Sequence, residues 1–285
     1  MHYTLTSMKK KVIVIFVLLL PLTLYAQEIL DTAYWRIQYD MVYQLDTVSH
    51  SMERSDLIYL DIGQNYSKCY SYYTHESDSL MNSQDGKRVW RDRFMRALED
   101  SKGDSFNSFP HKRNTFIIFK DFRSEAMIVQ DGFSTYRYEY EDELHSMKWE
   151  LLDNESKEIA GYKVFQAKTK WRGRIWTVWF TPEVPLDNGP WKLGGLPGLI
   201  FEAYDEANHY HFTLIGINRM ESHPIIKDKE YGVYGFRKEF EVIDRLTFLR
   251  KCHQFRTLPD AESQTLLGIS DTGVQHNDFL EKDYR

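Results

Sequence analysis

The feature that most limits the fold of this chain is a series of short segments rich in Tyr, Ile, Val and Phe, spaced roughly ten residues apart. Several of them alternate apolar and polar residues, as strands with one covered face do. The segments lie at residues 34–44, 57–62, 66–73, 115–120, 125–130, 135–140, 148–152, 161–169, 174–180, 199–204 and 210–217. Parallel strands need a long crossover between each pair, so this spacing predicts antiparallel pairing. The turn residues 63–65 predict a hairpin.

Helical periodicity occurs in only two stretches. Residues 85–100 place apolar side chains at i, i+4, i+7 and i+8, and a similar stripe runs through residues 236–255. The sequence therefore predicts a mainly β fold with minor α content, built as a curved antiparallel sheet or half-barrel with one or two packed helices. This order of elements is similar to that of envelope lipoprotein carriers, a likeness of fold that does not determine function.

Composition excludes several classes of protein. The chain has 285 residues, with 36 Lys plus Arg against 42 Asp plus Glu, and 42% of its residues are hydrophobic and 15% aromatic. So much aromatic content is not typical of a disordered chain, and repeated long apolar runs for several membrane spans are lacking. The acidic balance argues against nucleic acid as a partner, because phosphate binding needs a basic face.

The start of the chain has the pattern of a secretory signal peptide. Three lysines at 9–11 precede an apolar run at residues 12–20, and cleavage is expected after Ala26. An uncleaved anchor helix is the alternative, but the run is short and Pro21 interrupts its end. Without a Cys after the run, a lipoprotein is not expected. The sequence thus predicts export across the inner membrane to the periplasm or the outside, with no transmembrane span after cleavage.

The remainder of the chain is expected to hold one domain. Residues 27–255 are predicted to form a single β-rich domain, and the polar residues 256–285 a loose C-terminal tail. The two cysteines, Cys69 and Cys252, are far apart in the sequence. Export would permit a disulfide between them, whereas two buried thiols are the alternative, and the spacing decides neither.

A hexapeptide late in the chain has a clear conformational meaning. It consists of Gly195, Leu196, Pro197, Gly198, Leu199 and Ile200. Pro197 fixes φ and Gly198 accepts positive φ, which suits the two central positions of a type II turn that leads into the strand at 199–204. A packing function for this turn is one interpretation. A loop that binds a partner, with Trp191 just before it, is the other.

This hexapeptide is also the basis of a resemblance. Together with the flanking residues 161–163, 180–185 and 189–191, it makes the chain similar to the GLPGLI family of secreted Bacteroidetes proteins. One departure is Val164, where many members have a Cys. The resemblance implies an exported β protein and no catalytic residues. Because members often accompany outer-membrane TonB-dependent receptors, it also implies an accessory function in the envelope.

The strand at residues 174–180 is apolar on both faces, which indicates that both are covered. One cover is the core; the other is either the helices or an apolar ligand held in the concave side of the sheet. The candidate residues for binding a ligand or a partner are Trp176, Trp179, Phe180 and Trp191. The leading hypothesis is therefore a non-enzymatic envelope protein without a cofactor, which binds an apolar small molecule or an outer-membrane receptor.

Common catalytic motifs are lacking: the sequence has no G-x-S-x-G, H-E-x-x-H, Walker or C-x-x-C pattern. His209 and His211 lie two apart on a predicted strand, so both point to one face, where a nearby carboxylate could complete a metal site. A metal-assisted hydrolase is therefore the alternative function. Glu183 and Glu202 are a further candidate acid–base pair, and residues 271–273 imitate an aspartic-protease loop within the tail.

Overall fold

The computed structural model of the chain describes residues 28–44, 53–100, 111–233, 236–257 and 279–284. Within them are three helices: α1 (Tyr72–Met81), α2 (Gln84–Asp100) and α3 (Arg245–Thr257). They also contain fourteen strands: β1 (Glu28–Gln44), β2 (Glu53–Ile62), β3 (Tyr66–Ser71), β4 (Ile117–Asp121), β5 (Ala126–Phe133), β6 (Tyr136–Glu143), β7 (Glu150–Ile159), β8 (Tyr162–Trp171), β9 (Arg174–Thr181), β10 (Leu199–Asp205), β11 (Tyr210–Lys227), β12 (Glu230–Val233), β13 (Phe236–Glu239) and β14 (Glu241–Val242). The expected signal peptide and the 271–273 motif lie outside the described residues.

Twelve of these strands form one open sheet in the order β14-β6-β5-β4-β3-β2-β1-β11-β10-β9-β8-β7. All neighbours pair antiparallel except β14 and β6, which are parallel. β12 and β13 form a separate two-stranded sheet. The mainly β fold predicted from the spacing of the segments is confirmed.

The sheet is bent so strongly that strands near its opposite ends approach each other. Arg172, in the turn between β8 and β9, contacts Asp142 of β6 through an ion pair. Three shifts of register along β1 help the bend, because an extra residue in one strand increases local twist and curvature. The loop at residues 182–198 lies on the concave side, where Trp191, Leu193 and Leu196 are buried.

The predicted hairpin at residues 63–65 is present between β2 and β3. Its turn is held by Asp31 of β1, whose Oδ2 accepts the backbone N–H of Asn65 at 2.6 Å and of Tyr66 at 3.0 Å. A side chain from the first strand therefore fixes the turn between the next two strands, which helps to set their register.

The helices differ in part from the prediction. α2 confirms the helix expected at 85–100, but α1 was not predicted. It begins where Ser71 caps it, with Oγ accepting the N–H of Thr74 at 3.2 Å, so the strand expected at 66–73 ends early. The helix expected from 236 is wrong in its first part, which forms β13 and β14. Asp244 accepts the N–H of Thr247 at 2.9 Å, and this cap starts α3.

The last described residues are packed rather than loose. Phe279 and Tyr284 are buried, and Arg174 of β9 donates from Nε to the carbonyls of Phe279 and Leu280, both at 3.1 Å. The expectation of a loose tail is therefore wrong for residues 279–284. Favourable contacts with a buried arginine explain why so polar a sequence folds back onto the domain.

Neither cysteine takes part in a disulfide; Cys69 and Cys252 are both buried thiols. Burial raises the pKa of Cys69 to about 12, although nearby Lys120 and the N–H of Trp191 oppose this. In the part of the chain that is described, no helix combines the length and the apolar character needed to cross a bilayer.

Candidate functional site

A cavity of about 220 Å³ opens on the concave side of the sheet. It lies where β1 ends and β11 begins, between α3, the segment before β4 and the docked residues 279–281. Its walls are made by Tyr43, Arg113, Asn114, Thr115, Phe116, Val129, Asp131, Tyr140, Trp191, Tyr210, Phe248, Leu249, Cys252, Phe279, Leu280 and Glu281. A cavity of about 150 Å³ holds a benzene ring, so this one has room for a single substituted six-membered ring.

Aromatic side chains form one part of the wall. Tyr43 and Tyr210 face each other across the β1–β11 ladder, with ring centres 6.3 Å apart and planes inclined by 5°. Trp191 packs on Trp176 at 5.7 Å and edge-on to Trp171 at 5.5 Å. Because these rings support one another, the aromatic surface is rigid before any ligand arrives.

Trp191 is held in an unusual backbone conformation. Its φ is 54°, in the left-handed region that side chains larger than glycine rarely occupy. Its N–H donates to Sγ of Cys69 at 3.2 Å. Conformations of this kind persist where the surroundings impose them, and they are concentrated at functional sites.

Lys120 of β4 imposes the path of the loop that carries Trp191. Its Nζ, which is buried, donates to the carbonyl of Leu193 at 2.6 Å, to Oδ1 of Asn188 at 2.8 Å and to the carbonyl of Gly189 at 3.1 Å. Burial lowers the pKa of Lys120 to about 8. Three acceptors from one loop on a single ammonium fix the loop against the sheet.

Polar groups form the other part of the wall, on the segment before β4 and on β5. Thr115 donates from Oγ1 to Oδ1 of Asp131 at 2.6 Å. Asn114 donates from Nδ2 to Asp56 at 2.9 Å, which leaves the amide oxygen of Asn114 as an acceptor. Arg113 donates from Nη1 to the carbonyl of Ser55 at 2.5 Å.

Beside the cavity lies a network of buried ion pairs. Nζ of Lys192 contacts Asp142 at 2.8 Å and also pairs with Glu281. Arg245 of α3 pairs with Glu281, and Arg172 pairs with Asp142. Burial opposes the charge on Lys192, yet Glu281 and Asp142 raise its pKa above the ordinary value. Glu281, which lines the cavity, therefore has three cations within ion-pair distance, since Nε of Arg172 also lies 3.8 Å from it.

The cavity thus offers aromatic faces on one side and a carboxylate, an amide and a guanidinium on the other. Aromatic rings pack against the C–H face of a pyranose, and the polar groups match its hydroxyls. Pockets that fix a ligand commonly combine apolar walls with a few placed polar groups in this way. The arrangement suits a single sugar ring.

Residues 71–249 match the family model described as N-glycanase peptide, N-terminal domain. The chain belongs to this family. The match covers more than half of the chain and overturns the GLPGLI resemblance. It also overturns the function inferred from that resemblance, which was an envelope protein for an apolar ligand or a receptor, and the alternative of a metal-assisted hydrolase. The hexapeptide misled because its leucines and isoleucine are buried packing residues, which report on the core rather than on function.

Two solved structures of PNGF-II are similar to this chain. The one in the P21 space group has a TM-score of 0.48 and 12% identity over 79% of this chain. The one in the C2 space group has a TM-score of 0.48 and 13% identity over 81% of this chain. Each match covers 34% of PNGF-II, so this chain spans about a third of its length. No curated protein matches the sequence.

The sequence predicted four aromatic binding residues. All of them are buried, and they do not form one site: Trp176, Trp179, Phe180 and Trp191. Trp176 and Phe180 belong to the core on the concave side, and Trp191 alone lines the cavity. Trp179 belongs to the opposite face of β9, where the ammonium of Lys157 covers its ring at 4.3 Å. The strand is covered on both faces, as expected, but on the concave side the cover is the protein's own loop.

The hexapeptide forms a tighter turn than expected. Gly198 donates its N–H to the carbonyl of Leu196 at 2.7 Å, which closes a three-residue turn around Pro197 instead of a type II turn. A register shift then follows Ile200, so that Ile200 and Phe201 are both buried.

The predicted acid–base residues Glu183 and Glu202 have different partners, and of the two predicted metal ligands His211 lies on β11 whereas His209 precedes it. His211 lies 2.9 Å from Glu202, which also pairs with Lys157. The bond to His211, followed by that to Lys157, lowers the pKa of Glu202. Glu183 instead accepts the backbone N–H of Lys163 at 3.3 Å. No group of three or more His, Cys, Asp or Glu side chains suited to a metal ion is found in the described ranges.

Sequence reasoning missed most of the cavity. Tyr43 and Tyr210 lie at the ends of two predicted strands, and Arg113 and Asn114 just before a third. The signal was present in these positions, because aromatic and polar residues cluster where strands end. Only the pairing of β1 with β11, which joins distant parts of the sequence, brings them together.

Proposed function

We propose that this chain is a glycan-binding domain that acts in N-glycan processing, and that the concave cavity holds one sugar residue. Two observations support the proposal: membership of the N-glycanase N-terminal-domain family and a cavity whose chemistry suits a sugar. The observation that carries it is that Tyr43, Tyr210 and Trp191 line the same cavity as the polar residues 113–115.

The carboxylates of the cavity favour recognition over catalysis. Glu281 is paired with Lys192 and Arg245, and Asp131 accepts the hydroxyl of Thr115 and the N–H of Gly132 at 2.7 Å. Both carboxylates are thus engaged by groups of the protein itself. We therefore assign hydrolysis to no residue of this cavity. The expected export to the periplasm or the outside stays a prediction.

Titration of the full chain with N,N′-diacetylchitobiose, the first two sugars of an N-glycan, tests the proposal. Binding is measured by two-dimensional NMR, with shifts expected at residues that line the cavity. Tyr43→Ala removes one aromatic wall and is expected to weaken binding about tenfold, which corresponds to about 1.4 kcal/mol. Tyr136→Ala is the matched control, because Tyr136 is exposed in β6 and away from the cavity.

Shifts that follow the sugar at Tyr210 and Trp191, lost in the Tyr43 variant and kept in the Tyr136 variant, would support the assignment. The proposal fails if neither chitobiose nor N-acetylglucosamine binds saturably at millimolar concentration. It also fails if both variants bind as well as the original protein.

A further inference from the structure

We infer that Arg113 binds an acidic group of the ligand, so that the cavity prefers a sugar that carries a carboxylate. This inference rests on the proposed glycan-binding function and adds the class of ligand. Its basis is one arginine of the cavity wall that is held by neighbouring groups and, among the described residues, has no carboxylate within ion-pair distance.

The guanidinium of Arg113 is held by contacts with Tyr73 and Ser55. It lies over the ring of Tyr73, 3.8 Å from the ring centre, and Nη1 donates to the carbonyl of Ser55 at 2.5 Å and to its hydroxyl at 3.5 Å. A guanidinium has five N–H donors, so most of them remain for a ligand. The contact with Tyr73 restrains the group, and the fork geometry of a guanidinium favours a planar acceptor with two oxygens.

Other cations around the cavity differ from Arg113 because their charges are already matched. Lys192 and Arg245 pair with Glu281, and neighbouring Lys112 pairs with Asp78. Among the residues that the structure describes, no carboxylate lies within ion-pair distance of Arg113. The charge of Arg113 is thus the one on this wall that a ligand would complement.

The carboxylates near Arg113 are occupied elsewhere. Asp56 is buried and binds Ser71 and Asn114; burial raises its pKa, which these hydrogen bonds and the charge of Arg113 oppose. Asp131 binds Thr115. An acidic ligand therefore meets carboxylates that are already hydrogen bonded, and a guanidinium that is free to form a two-oxygen contact.

The test compares methyl β-D-glucuronide with methyl β-D-glucoside, which differ at the carboxylate. Affinities are measured by NMR titration of the full chain at low salt. We expect the glucuronide to bind at least tenfold more tightly, and Arg113→Leu to remove this difference by weakening the glucuronide much more than the glucoside. Lys112→Leu is the matched control, because it removes a neighbouring charge that is already paired, and it should keep the preference.

Each result bears on a different statement. Equal affinity of the original protein for the two sugars overturns the inference but leaves the glycan-binding function standing, whereas failure of both sugars and of chitobiose to bind overturns the function. A preference that survives Arg113→Leu also overturns the inference. If that variant does not fold, Arg113→Lys replaces it: lysine cannot form the two-oxygen contact, so the affinity for the glucuronide should fall more than that for the glucoside.

Discussion

Lys192 and Glu281 form an ion pair inside the protein, with only 1% and 3% of their side chains exposed. One comes from the loop on the concave side and the other from the last residues of the chain. The pair therefore joins two segments that each line or support the cavity. A charge removed from such a pair leaves its partner buried and uncompensated, which costs more than the pair itself contributes.

Lys192→Met is expected to lower the free energy of unfolding by about 3–5 kcal/mol, because it leaves Asp142 and Glu281 without their shared ammonium. Urea unfolding followed by tryptophan fluorescence measures the change. Lys157→Met is the control, since Lys157 is 39% exposed in its pair with Glu202 and should cost less than about 1 kcal/mol. Equal effects of the two substitutions would show that the buried network is not critical.

Stability should fall in acid through Asp142. Burial raises the pKa of this carboxyl, but Lys192 and Arg172 outweigh burial and hold it below the ordinary value of 3.8. A lowered pKa gives stability that is present above the ordinary value and is lost as the pH falls through the lowered one. Unfolding at pH 6 down to pH 2 should therefore show a steeper loss in the original protein than in Asp142→Asn. Parallel curves would contradict this.

The two cysteines should behave as protected thiols. Because burial raises the pKa of Cys69 to about 12, little thiolate forms at pH 8, and Cys252 is buried as well. Ellman's reagent should react slowly with the native protein. After denaturation it should react with two thiols per chain. A count of zero in denaturant without reductant would demonstrate a disulfide, contrary to the structure.

Gly198→Ala should be strongly destabilising. Gly198 has φ of +150°, and an added Cβ would lie 2.0 Å from the carbonyl oxygen of Thr181. Gly161 also has positive φ, at +83°, but a Cβ there meets nothing within 4 Å. We expect Gly161→Ala to cost about 1 kcal/mol for the backbone alone, and Gly198→Ala to cost more than about 2 kcal/mol. Thermal unfolding measures the loss of stability in each variant, and the difference between the two losses gives the cost of the steric clash at Gly198.

Local pattern was sufficient for most strands but not for their long-range partners. Alternation located the strands because one covered face dictates it, and the 63–65 turn followed from its residues. By contrast, α1 depends on the cap at Ser71, and the start of α3 on Asp244, which are single hydrogen bonds that periodicity does not reveal. The cavity depends on β1 meeting β11, a pairing that only the whole sheet determines.

Buried cations were the other feature hidden from the sequence. Lys120 and Lys192 look like ordinary surface lysines in the chain, yet both have about 1% of their surface exposed. Their partners come from the loop at 182–198, β6 and the final residues, so no local spacing could indicate them. The strand around Trp176 was correctly predicted to be covered on both faces, but on the concave face the cover is this same loop.

The loop at 182–198 limits which part of a branched oligosaccharide could bind on the concave side. The concave side of the sheet is occupied by the chain's own backbone, which the ammonium groups of Lys120 and Lys192 hold in place. The cavity beside this loop has room for one ring. If the chain binds glycans as proposed, a terminal ring at either end of an oligosaccharide, rather than an internal linkage, would occupy this cavity.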